Sequence, residues 1–428
     1  LRQLNNSVTA AVVDTDAIAA NNTFDSKAPM FVGGTSLKEN SQIYVNSVSG
    51  NDSGGDGSET KPFKTISGAI SKANAGDTIL VSGSIGHNFF NGITKPVTIQ
   101  GQGTEKVAVT GGVTLPANVN GTVKLSNFSF NGTSTIGLYG TSTEYAGLDL
   151  VIENCAFTNA SGNCVYIGPQ INSLTVDNCK FTAPQDETKY QKQYLIWPYA
   201  AKTVTVTGST FDGRNVIRSA IHLGEGHPEG TTALIEENTF KNFERGIQLA
   251  FTNSKENTVT INRNDFKNIS LAPNTLSASY EVGTVFVHEN LDKNGATTKV
   301  AYTNNFLTGT SERIAYSENS TVSADKLFTQ FTGNTIQEQD AGDLEDNWFD
   351  AFVAQIGDSK FKTLDAAMEA AKSMSGKVTI TLLADVDYTS TFSQTAGASN
   401  TISFDLSTAS GLTGLTILGA NQDVKIIT

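Results

Sequence analysis

A phenylalanine recurs through the middle of the chain, and each time it follows a short stretch in which apolar and polar residues alternate. One copy runs from Leu150 to Phe157 as LVIENCAF, and the next runs from Leu174 to Phe181 as LTVDNCKF. The anchors of the eight copies are Phe130, Phe157, Phe181, Phe211, Phe240, Phe266, Phe306 and Ile336. They lie 24 to 30 residues apart, except for one interval of 40. Repeats of this length are too short for propeller blades and lack a leucine-rich signature, so they predict a parallel β-helix with one repeat per turn.

Two columns of residues appear when the copies are aligned on the anchor. The residues five positions before it are apolar and alternate with exposed types, which predicts that they point inward: Leu125, Ile152, Val176, Val206, Ile235 and Ile261. The residues two positions before it change from small to amide side chains: Phe128, Cys155, Cys179, Ser209, Asn238, Asn264, Asn304 and Asn334. Since asparagines on successive levels can hydrogen-bond one another, we expect a ladder inside the rod. Cys155 and Cys179 are expected to stack in it as small apolar residues, with Cys164 unpaired.

A second strand is predicted after each anchor, at 136–139, 165–167, 195–197, 221–223, 247–249, 285–287 and 314–316. A single turn of chain cannot bury its own apolar residues. Stacked turns about 4.8 Å apart share one continuous core and pair nearly every backbone group. The sequence therefore predicts an all-β solenoid.

The composition fits many short strands and narrows the possible partners. Charged residues make up 17% of the 428 residues and hydrophobic residues 38%. That apolar fraction is too high for a disordered chain, and no apolar run reaches the roughly 18 residues of a membrane span. The 42 acidic and 29 basic residues give a net charge of −13, which disfavours nucleic acid and anionic membrane surfaces as partners. Three cysteines are too few for a disulfide framework.

The segment before the repeats has its own pattern. Residues 43–83 contain a strand, a loop rich in Gly, Asp and Ser, the sequence PFKTI at 62–66, an amphipathic helix and the strand 78–81. This segment resembles the N-terminal cap of right-handed parallel β-helix proteins of the pectate-lyase-like class. With the repeats, the resemblance covers about 43–338. It implies a right-handed β-helix, usually in secreted or surface proteins that handle polysaccharides, and it implies no particular reaction.

The cap pattern recurs near the C-terminus. The sequence AQIGDSKFKTLDAAM at 354–368 repeats the PFKTI segment and its helix, and it resembles segments of modular bacterial surface proteins. We therefore predict an N-terminal arm or leader at 1–42, a capped β-helix at 43–338, an acidic linker at 339–352 and a second cap-like β-helix start at 353–428. The second unit is expected to belong to a longer multi-module chain. The alternative is that 353–428 closes the first helix.

The outward positions of the second strands predict a ligand groove, since they form a column across the turns. The candidate binding residues are Tyr166, Trp197, Tyr199, His222, Glu225, Gln248 and His288, with Phe286 between the last two levels. Flat aromatic faces beside amides, imidazoles and carboxylates are suited to sugars, because rings cover C–H faces and polar groups bind hydroxyls. The alternative is the ordinary alternation of a solvated sheet.

The stretch 212–229 holds the densest set of reactive side chains. A glycoside hydrolase needs two carboxylates roughly 5 to 9.5 Å apart, so Glu225 paired with Glu229 or Asp212, and His222 beside them, are the catalytic candidates. A lyase would use Arg218 or Arg245. Since neither set has a catalytic signature, the sequence leaves enzymatic activity open. His222 and His227 do not lie on a helix, so no zinc site is predicted.

The loop Asn51 to Glu59 contains oxygen-bearing side chains that can bind calcium, but it departs from the EF-hand pattern and is more typical of a plain turn. No other metal or cofactor is expected. The leading hypothesis is an extracellular bacterial module, on a cell surface or secreted, that serves adhesion by binding a glycan or another host surface ligand. The alternatives are a hydrolase or polysaccharide lyase using the same groove, and a structural stalk.

Overall fold

The computed structural model describes residues 41–86, 93–111, 113, 115, 118–131, 136–139, 143–158, 163–185, 191–270, 282–309, 314–317, 320–336, 353–357, 359–361, 363–383, 385–387 and 406–419. It also describes the backbone of short strands at 30–32, 35–37, 339–340 and 426–427. Most of the predicted arm at 1–42 and of the predicted linker at 339–352 lies outside the described residues. The division into domains therefore stays a prediction.

Strands dominate the described residues, and three helices accompany them. The helices are α1 (Ile66–Lys72), α2 (Ala324–Leu327) and α3 (Leu364–Lys372). The first strands are β1 (Met30–Val32), β2 (Thr35–Leu37), β3 (Gln42–Asn46), β4 (Thr78–Ser82), β5 (Ile85–Gly86), β6 (Thr98–Gly101), β7 (Val107–Thr110), β8 (Gly121–Ser126), β9 (Phe128–Asn131), β10 (Ile136–Leu138), β11 (Leu148–Glu153), β12 (Ala156–Thr158), β13 (Val165–Asp177), β14 (Lys180–Thr182), β15 (Gln191–Thr207) and β16 (Thr210–Asp212).

The remaining strands continue the same succession toward the C-terminus. They are β17 (Ile217–Glu225), β18 (Thr232–Glu236), β19 (Thr239–Lys241), β20 (Arg245–Phe251), β21 (Glu256–Asn262), β22 (Asp265–Lys267), β23 (Gly283–Val287), β24 (Thr297–Thr303), β25 (Phe306–Thr308), β26 (Ile314–Tyr316), β27 (Phe328–Thr332), β28 (Thr335–Ile336), β29 (Gln339–Asp340), β30 (Ala354–Ile356), β31 (Ser359–Phe361), β32 (Gly376–Leu382), β33 (Val386–Asp387), β34 (Leu412–Gly419) and β35 (Ile426–Ile427).

Each turn of the chain contributes strands to three faces of a parallel β-helix. Face A carries the inward aliphatic column and contains β8, β11, β18, β21, β24 and β27. Face B carries the phenylalanine anchors and contains β9, β12, β14, β16, β19, β22 and β25. Face C contains β10, β17, β20, β23 and β26, and the long strands β13 and β15 run from face C into face A. Every pairing between consecutive turns on these faces is parallel, which confirms the predicted solenoid.

The phenylalanine anchors form a stack through the interior. Successive rings from Phe130 to Phe266 lie 4.6–5.1 Å apart and nearly parallel. This spacing equals the distance between paired strands, so one ring per turn fills the core without a gap. The inward column on face A is also closed to solvent, since Ile152, Val176 and Ile235 are all fully buried.

The predicted polar ladder is continuous, with one correction. Each backbone N–H donates to the side chain one turn further on, through Cys155, Cys179, Ser209, Asn238, Asn264, Asn305 and Asn334. The ladder residue of the seventh turn is thus Asn305, and the prediction of Asn304 was wrong. The anchor shifts likewise, because Leu307 pairs with Phe266 and is buried, whereas Phe306 is half-buried.

Asn304 has a different role in the same corner. The residue just before each ladder position has a positive φ, as in Asn154 (48°), Asn178 (48°) and Asn304 (55°), and Gly208 and Gly333 replace asparagine on other turns. Asparagine and glycine tolerate this left-handed conformation better than other residues. The corner between faces A and B therefore has one residue in the left-handed conformation per turn, next to the ladder residue, and Glu237 (58°) and Arg263 (53°) take this position on two turns.

The predicted N-terminal cap is confirmed. Helix α1 buries Ile66, Ala69 and Ile70, and its first turn is capped by Thr65, whose hydroxyl accepts from the backbone N–H of Gly68 at 3.1 Å. Strand β3 pairs in parallel with β4, and β4 pairs with β6. The cap thus starts the parallel sheet that the later turns extend.

The C-terminal unit repeats the helix of the cap but not all of its strand pairing. Thr363 caps α3 by accepting from the N–H of Ala366 at 3.0 Å, as Thr65 caps α1, and β32 pairs in parallel with β34. Strand β30, however, pairs antiparallel with β32, unlike β3 with β4. This unit has its own hydrophobic core, which includes Phe361 and Ile380.

Candidate functional site

Face C places the predicted binding column on its outer side. The register of β10, β13, β15, β17, β20, β23 and β26 aligns Ile136, Val165, Ile196, Ile221, Ile247, Val285 and Ile314 as an inward column. The next residue of each strand points outward and forms what we call the face C column: Gly137, Tyr166, Trp197, His222, Gln248, Phe286 and Ala315. The structure therefore brings the predicted Tyr166, Trp197, His222 and Gln248 together.

Aromatic rings are in contact over the first half of this column. We call the group formed by Tyr139, Tyr166, Tyr194, Trp197, Tyr199 and His222 the aromatic cluster. Ring centroids are 5.4 Å apart for Tyr139 and Tyr166, and 5.3 Å apart for Tyr166 and Trp197. The His222 ring lies 5.3 Å from Trp197 and 4.2 Å from Tyr194. Tyr139 is 56% exposed, so the cluster begins at an open surface.

Trp197 is the centre of the cluster. Its ring meets Tyr166, Tyr194 and His222 edge to face, at interplanar angles between 69° and 79°, and it lies 5.7 Å from the ring of Tyr199. Its side chain is half-buried, yet the indole Nε1 is fully buried and has no hydrogen-bond partner within the described part of the chain. The same holds for Nδ1 of His222, whose side chain is 8% exposed.

Glycines make room for these rings on the sheet. A Cβ on Gly224 would lie 2.2 Å from Nε2 of His222, and a Cβ on Gly137 would lie 2.5 Å from the Tyr139 ring. Since real side chains do not approach so closely, the rings lie over these glycines. Gly137 and Gly224 are therefore needed for the rings of Tyr139 and His222 to lie where they do.

The second half of the column is covered. Gln248 and Phe286 are each 2% exposed. The buried guanidinium of Arg245 stacks 3.4 Å from the centre of the Phe286 ring, and its Nη1 donates to Oε1 of Gln248 at 3.0 Å. His288 lies beside Phe286, with ring centroids 6.1 Å apart. The face C column thus has one end beside the exposed ring of Tyr139. Its other end, at Gln248 and Phe286, is buried.

The histidines of this region are held in the neutral form. Burial, followed by the proximity of His288 and the charge of Arg245, lowers the pKa of His222 from 6.5 to about 3. Burial also lowers the pKa of His227 and of His288. A neutral imidazole has one donor and one acceptor nitrogen, so these side chains suit uncharged polar groups.

Glu225 lies at the edge of the aromatic cluster. It ends β17 with a positive φ of 63°, and it is exposed. Thr252 donates to its Oε2 at 2.7 Å. Burial, followed by the charge of Glu225, raises the pKa of Tyr199, which places the carboxylate next to the phenol. Glu225 is therefore a positioned carboxylate that still faces solvent.

The other two carboxylates among the catalytic candidates, Asp212 and Glu229, have partners of their own. Asp212 lies on face B, where Asn242 donates to its Oδ1 at 2.8 Å and Lys241 pairs with its Oδ2 at 3.1 Å. Glu229 forms an exposed ion pair with Lys202 at 2.6 Å, which lowers its pKa. Neither carboxylate is directed to Glu225 by these contacts, so their proposed catalytic roles stay predictions without geometric support.

The loop that was a calcium candidate uses its oxygens internally. Asp52 Oδ1 accepts from the backbone N–H groups of Lys64 and Thr65 at 2.8 and 3.0 Å. Asn51 Oδ1 accepts from Ser53 and Gly54. Among the described residues, no group of three or more His, Cys, Asp or Glu is arranged to hold a metal ion.

All three cysteines are free and buried, as expected from their places in the core.

A polar depression of about 550 Å³ lies away from the face C column, at the corner between faces A and B. Its lining includes Asn127, Glu153, Asn154 and Asp177. These groups largely bind one another or the backbone: Asn127 Nδ2 donates to Gly101 O, and Glu153 pairs with Lys124. The depression has no aromatic lining.

Sequence reasoning missed two members of the aromatic cluster. Tyr139 follows the third residue of its strand and leans back over Gly137, which takes its place in the column. Tyr194 lies on the same strand as Trp197, just after a shift in register between β15 and β17, and its ring contacts that of Trp197. The excess of tyrosine around Trp197 was a usable signal, but the shift in register was not visible in the sequence.

Comparisons with known proteins confirm the fold class. A family model described as a right handed beta helix region matches residues 111–292. A comparison with curated proteins finds no match. Among solved structures, the chain is similar to the GH136 lacto-N-biosidase from Eubacterium ramulus as native protein, at 12% identity and a TM-score of 0.34, over 70% of this chain and 66% of that one. The selenomethionine derivative of that enzyme gives 12% identity and a TM-score of 0.34, over 71% and 68%.

The chain thus spans about two thirds of the length of that enzyme. No helix among the described residues is long and apolar enough to cross a membrane.

Proposed function

We propose that this protein is an extracellular β-helix module that binds a glycan along the face C column and serves adhesion at a bacterial surface. The observation that carries the proposal is the aromatic cluster, in which six rings at neighbouring levels are in contact and one of them, Tyr139, is 56% exposed. Soluble proteins rarely expose joined aromatic rings without a partner. Rings that carry polar tips and adjoin neutral imidazoles and an amide match the alternating C–H and hydroxyl surfaces of sugars.

The direction of the column fits an extended ligand. Its members belong to successive turns, so it runs along the rod, and the ring centroids from Tyr139 through Tyr166 and Trp197 to His222 repeat every 5.3–5.4 Å. A chain of sugar rings offers a similar repeat. The ligand would therefore lie along the rod, with consecutive units on consecutive turns.

A glycan array with the full chain tests this proposal. We expect binding that Trp197→Ala weakens at least about tenfold, since the indole contacts four neighbouring rings. Tyr44→Ala is the matched control, because Tyr44 is a half-buried tyrosine of β3 in the cap, away from face C. Absence of any bound glycan contradicts the proposal and favours a structural stalk. Equal loss in both variants would show that the aromatic cluster is not the site.

A second candidate function is cleavage of the bound glycan, by hydrolysis or elimination. The observation that favours it is Glu225, an exposed carboxylate held by Thr252 and next to Tyr199 at the edge of the aromatic cluster. Prolonged incubation of each bound glycan separates the two functions. New reducing ends or unsaturated products that disappear in Glu225→Gln, with binding retained, would establish an enzyme. Stable glycans would leave a binding module.

A further inference from the structure

Glu225 is an exposed carboxylate whose neighbours are hydroxyl groups. Thr252 donates to its Oε2 at 2.7 Å, and the phenol of Tyr199 lies beside it. Other carboxylates along the rod form ion pairs with Lys or Arg: Glu153, Asp212, Glu229, Glu236, Glu237, Glu256 and Asp265. None of the ion pairs found among the described residues includes Glu225. A cation from outside the chain can therefore pair with it.

The main chain fixes the place of this carboxylate. The carbonyl of Glu225 accepts from the N–H groups of Thr252 at 3.1 Å and Asn253 at 2.8 Å, which belong to the next turn. The N–H of Gly226 donates to Tyr199 O at 3.1 Å, on the previous turn. A group that is already ordered loses little conformational entropy when a ligand binds, so Glu225 is suited to binding.

Aromatic side chains lie next to this carboxylate, on the previous turns. Burial, followed by the charge of Glu225 and then by Tyr166, raises the pKa of Tyr199, so the three side chains are close neighbours. A Cβ on Gly168 would lie 3.1 Å from the hydroxyl of Tyr166, so that ring lies over the glycine. Tyr166 and Tyr199 are half-buried and Glu225 is exposed, so a ligand on the surface can touch all three.

The basic groups of this region do not neutralise Glu225. Arg245 is 6% exposed and stacks on Phe286. Lys202 pairs with Glu229 at 2.6 Å. The chain as a whole carries a net charge of −13. The exposed charge at this edge of the aromatic cluster is therefore negative, which attracts cations and repels acidic sugars.

The combination of ring faces and a carboxylate selects a positively charged group. A carboxylate only accepts hydrogen bonds, and a protonated amine only donates them. The face of an aromatic ring also attracts a cation. A sugar hydroxyl gains the hydrogen bond to the carboxylate but gains nothing from either charge interaction. An amino sugar without an acetyl group offers both an ammonium group and a C–H face that can stack on tyrosine.

We propose that the aromatic cluster, together with Glu225, binds a glycan that contains amino sugars with free amino groups. One ammonium group pairs with the carboxylate of Glu225, while the sugar ring lies against Tyr166 and Tyr199. This inference rests on the proposed glycan binding, and it adds the chemical class of the ligand and the residue that selects it. Glu225 is then a specificity-determining residue.

Two oligosaccharides that differ in the charge of their amino groups test this inference: a hexamer of β-linked glucosamine and its fully N-acetylated form. Each is titrated into the full chain by isothermal calorimetry. The amine form is expected to bind roughly 10-fold more tightly, since acetylation removes the positive charge. Glu225→Gln keeps the size of the side chain. It should weaken binding of the amine form roughly 5- to 20-fold and leave binding of the acetylated form unchanged.

Glu237→Gln is the matched control. Glu237 is also an exposed glutamate with a positive φ, 58° against 63° for Glu225, but it lies at the corner between faces A and B. Its replacement should change the affinity for the amine form less than about twofold, because salt screens exposed charges at a distance. Equal losses in the two variants would reflect general attraction to an acidic protein and would overturn the site.

The remaining outcomes separate this inference from the function on which it rests. Acetylated hexamer that binds as tightly as the amine form overturns the cationic class and leaves glycan binding intact. The same holds if neither hexamer binds while another glycan of the array does. Absence of binding to any glycan overturns the proposed function and this inference with it.

A measurement on the unmodified protein covers the case in which Glu225→Gln lowers the unfolding midpoint. The affinity for the amine form should fall as the NaCl concentration is raised, whereas the affinity for the acetylated form should stay constant, because salt screens an exposed ion pair. An equal dependence on salt for the two hexamers overturns the pairing of an ammonium group with Glu225.

Discussion

Asn264 shows how one side chain holds three turns of the rod together. Its Oδ1 accepts from both the backbone N–H and Nδ2 of Asn238, each at 3.0 Å. Its Nδ2 donates to Ile235 O at 2.8 Å and to Asn305 Oδ1 at 3.1 Å. The side chain is 1% exposed. Every polar atom of the Asn264 amide therefore takes part in a hydrogen bond. Its partners are buried, so water cannot replace the amide as their partner.

Asn264→Ala should lower the free energy of unfolding by about 2–4 kcal/mol, because the buried backbone N–H of Asn238 loses its acceptor and Ile235 O loses a donor, whereas Asn305 Oδ1 keeps the backbone N–H of residue 264. Urea unfolding followed by circular dichroism measures the change. Asn294→Ala is the matched control: Asn294 is exposed and makes a single hydrogen bond, to Thr252 O, so a loss below about 0.5 kcal/mol is expected. Equal losses in the two variants would contradict the ladder as a source of stability.

The neutral His222 makes stability depend on pH. Its pKa is lowered from 6.5 to about 3 by burial and nearby positive charge. Below pH 6.5 the imidazole of His222 binds a proton in the unfolded chain but not in the folded chain. The free energy of unfolding should therefore fall as pH is lowered from 6.5 toward 3. The slope per group approaches about 1.4 kcal/mol per pH unit.

Urea titrations at pH 7, 6 and 5 measure this slope in the unmodified protein and in His222→Gln. The variant should show a shallower decline, because it no longer has this group to protonate; His227 and His288, whose pKa values are also lowered, keep part of the slope. Parallel declines in both proteins would show that His222 is accessible to protons in the folded state.

At the scale of elements, the N-terminal cap depends on Asp52. Its two carboxylate oxygens accept from Lys64 N, Thr65 N and the Thr65 hydroxyl, and that hydroxyl in turn caps α1 through Gly68 N. A Cβ on Gly68 would meet Asp52 Oδ1 at 2.3 Å, so the loop and the helix are closely packed. The acidic loop 51–59 therefore has a structural use for its oxygens.

Calcium should not stabilise this loop, because its carboxylates already accept backbone hydrogen bonds. We expect the melting temperature of the chain to stay constant between EDTA and millimolar CaCl₂. Asp52→Ala should instead lower the free energy of unfolding by about 1–3 kcal/mol, through the loss of hydrogen bonds to Lys64 and Thr65. A calcium-dependent rise in melting temperature that Asp52→Ala abolishes would show that the loop binds the ion.

At the scale of the whole molecule, each turn contacts mainly the turns before and after it. Phe240 pairs with Phe266, His222 with Gln248, and Val259 with Val300, so all faces advance together by one turn. Such stacks behave as nearly one-dimensional arrays in which neighbouring units carry the stability.

Deleting the 26 residues from Phe240 to Asp265 removes one complete turn and joins Thr239 to Phe266. The shortened chain should fold cooperatively, since Asn238 then precedes Phe266 at the ladder position and the faces stay in register. Deleting only the 13 residues from Phe240 to Thr252 removes half a turn and should abolish cooperative unfolding. Circular dichroism and urea unfolding compare the two chains, and a folded half-turn deletion would contradict the register.

The repeat in the sequence sufficed for the solenoid, the inward column, the cysteine stack and the outward column through Tyr166, Trp197, His222 and Gln248. All of these depend on parallel pairing between consecutive turns, which imposes the same residue types at the same places and can be read from the chain. The one error of register, Phe306 for Leu307, fell in the copy after the 40-residue interval, where neighbouring copies no longer fix the alignment.

What only the tertiary structure decided concerns the outside of the rod. It separated Asp212 on face B from Glu225 on face C, brought the rings of Tyr194 and Trp197 into contact, and buried His222, Gln248 and Phe286 on an outward face. Inward positions repeat because every turn shares one core. The outer surface has no such period, since loops of varying length and packing between distant segments decide what covers it. The amino-acid sequence thus determined the rod, and tertiary packing determined which part of its surface is available to a ligand.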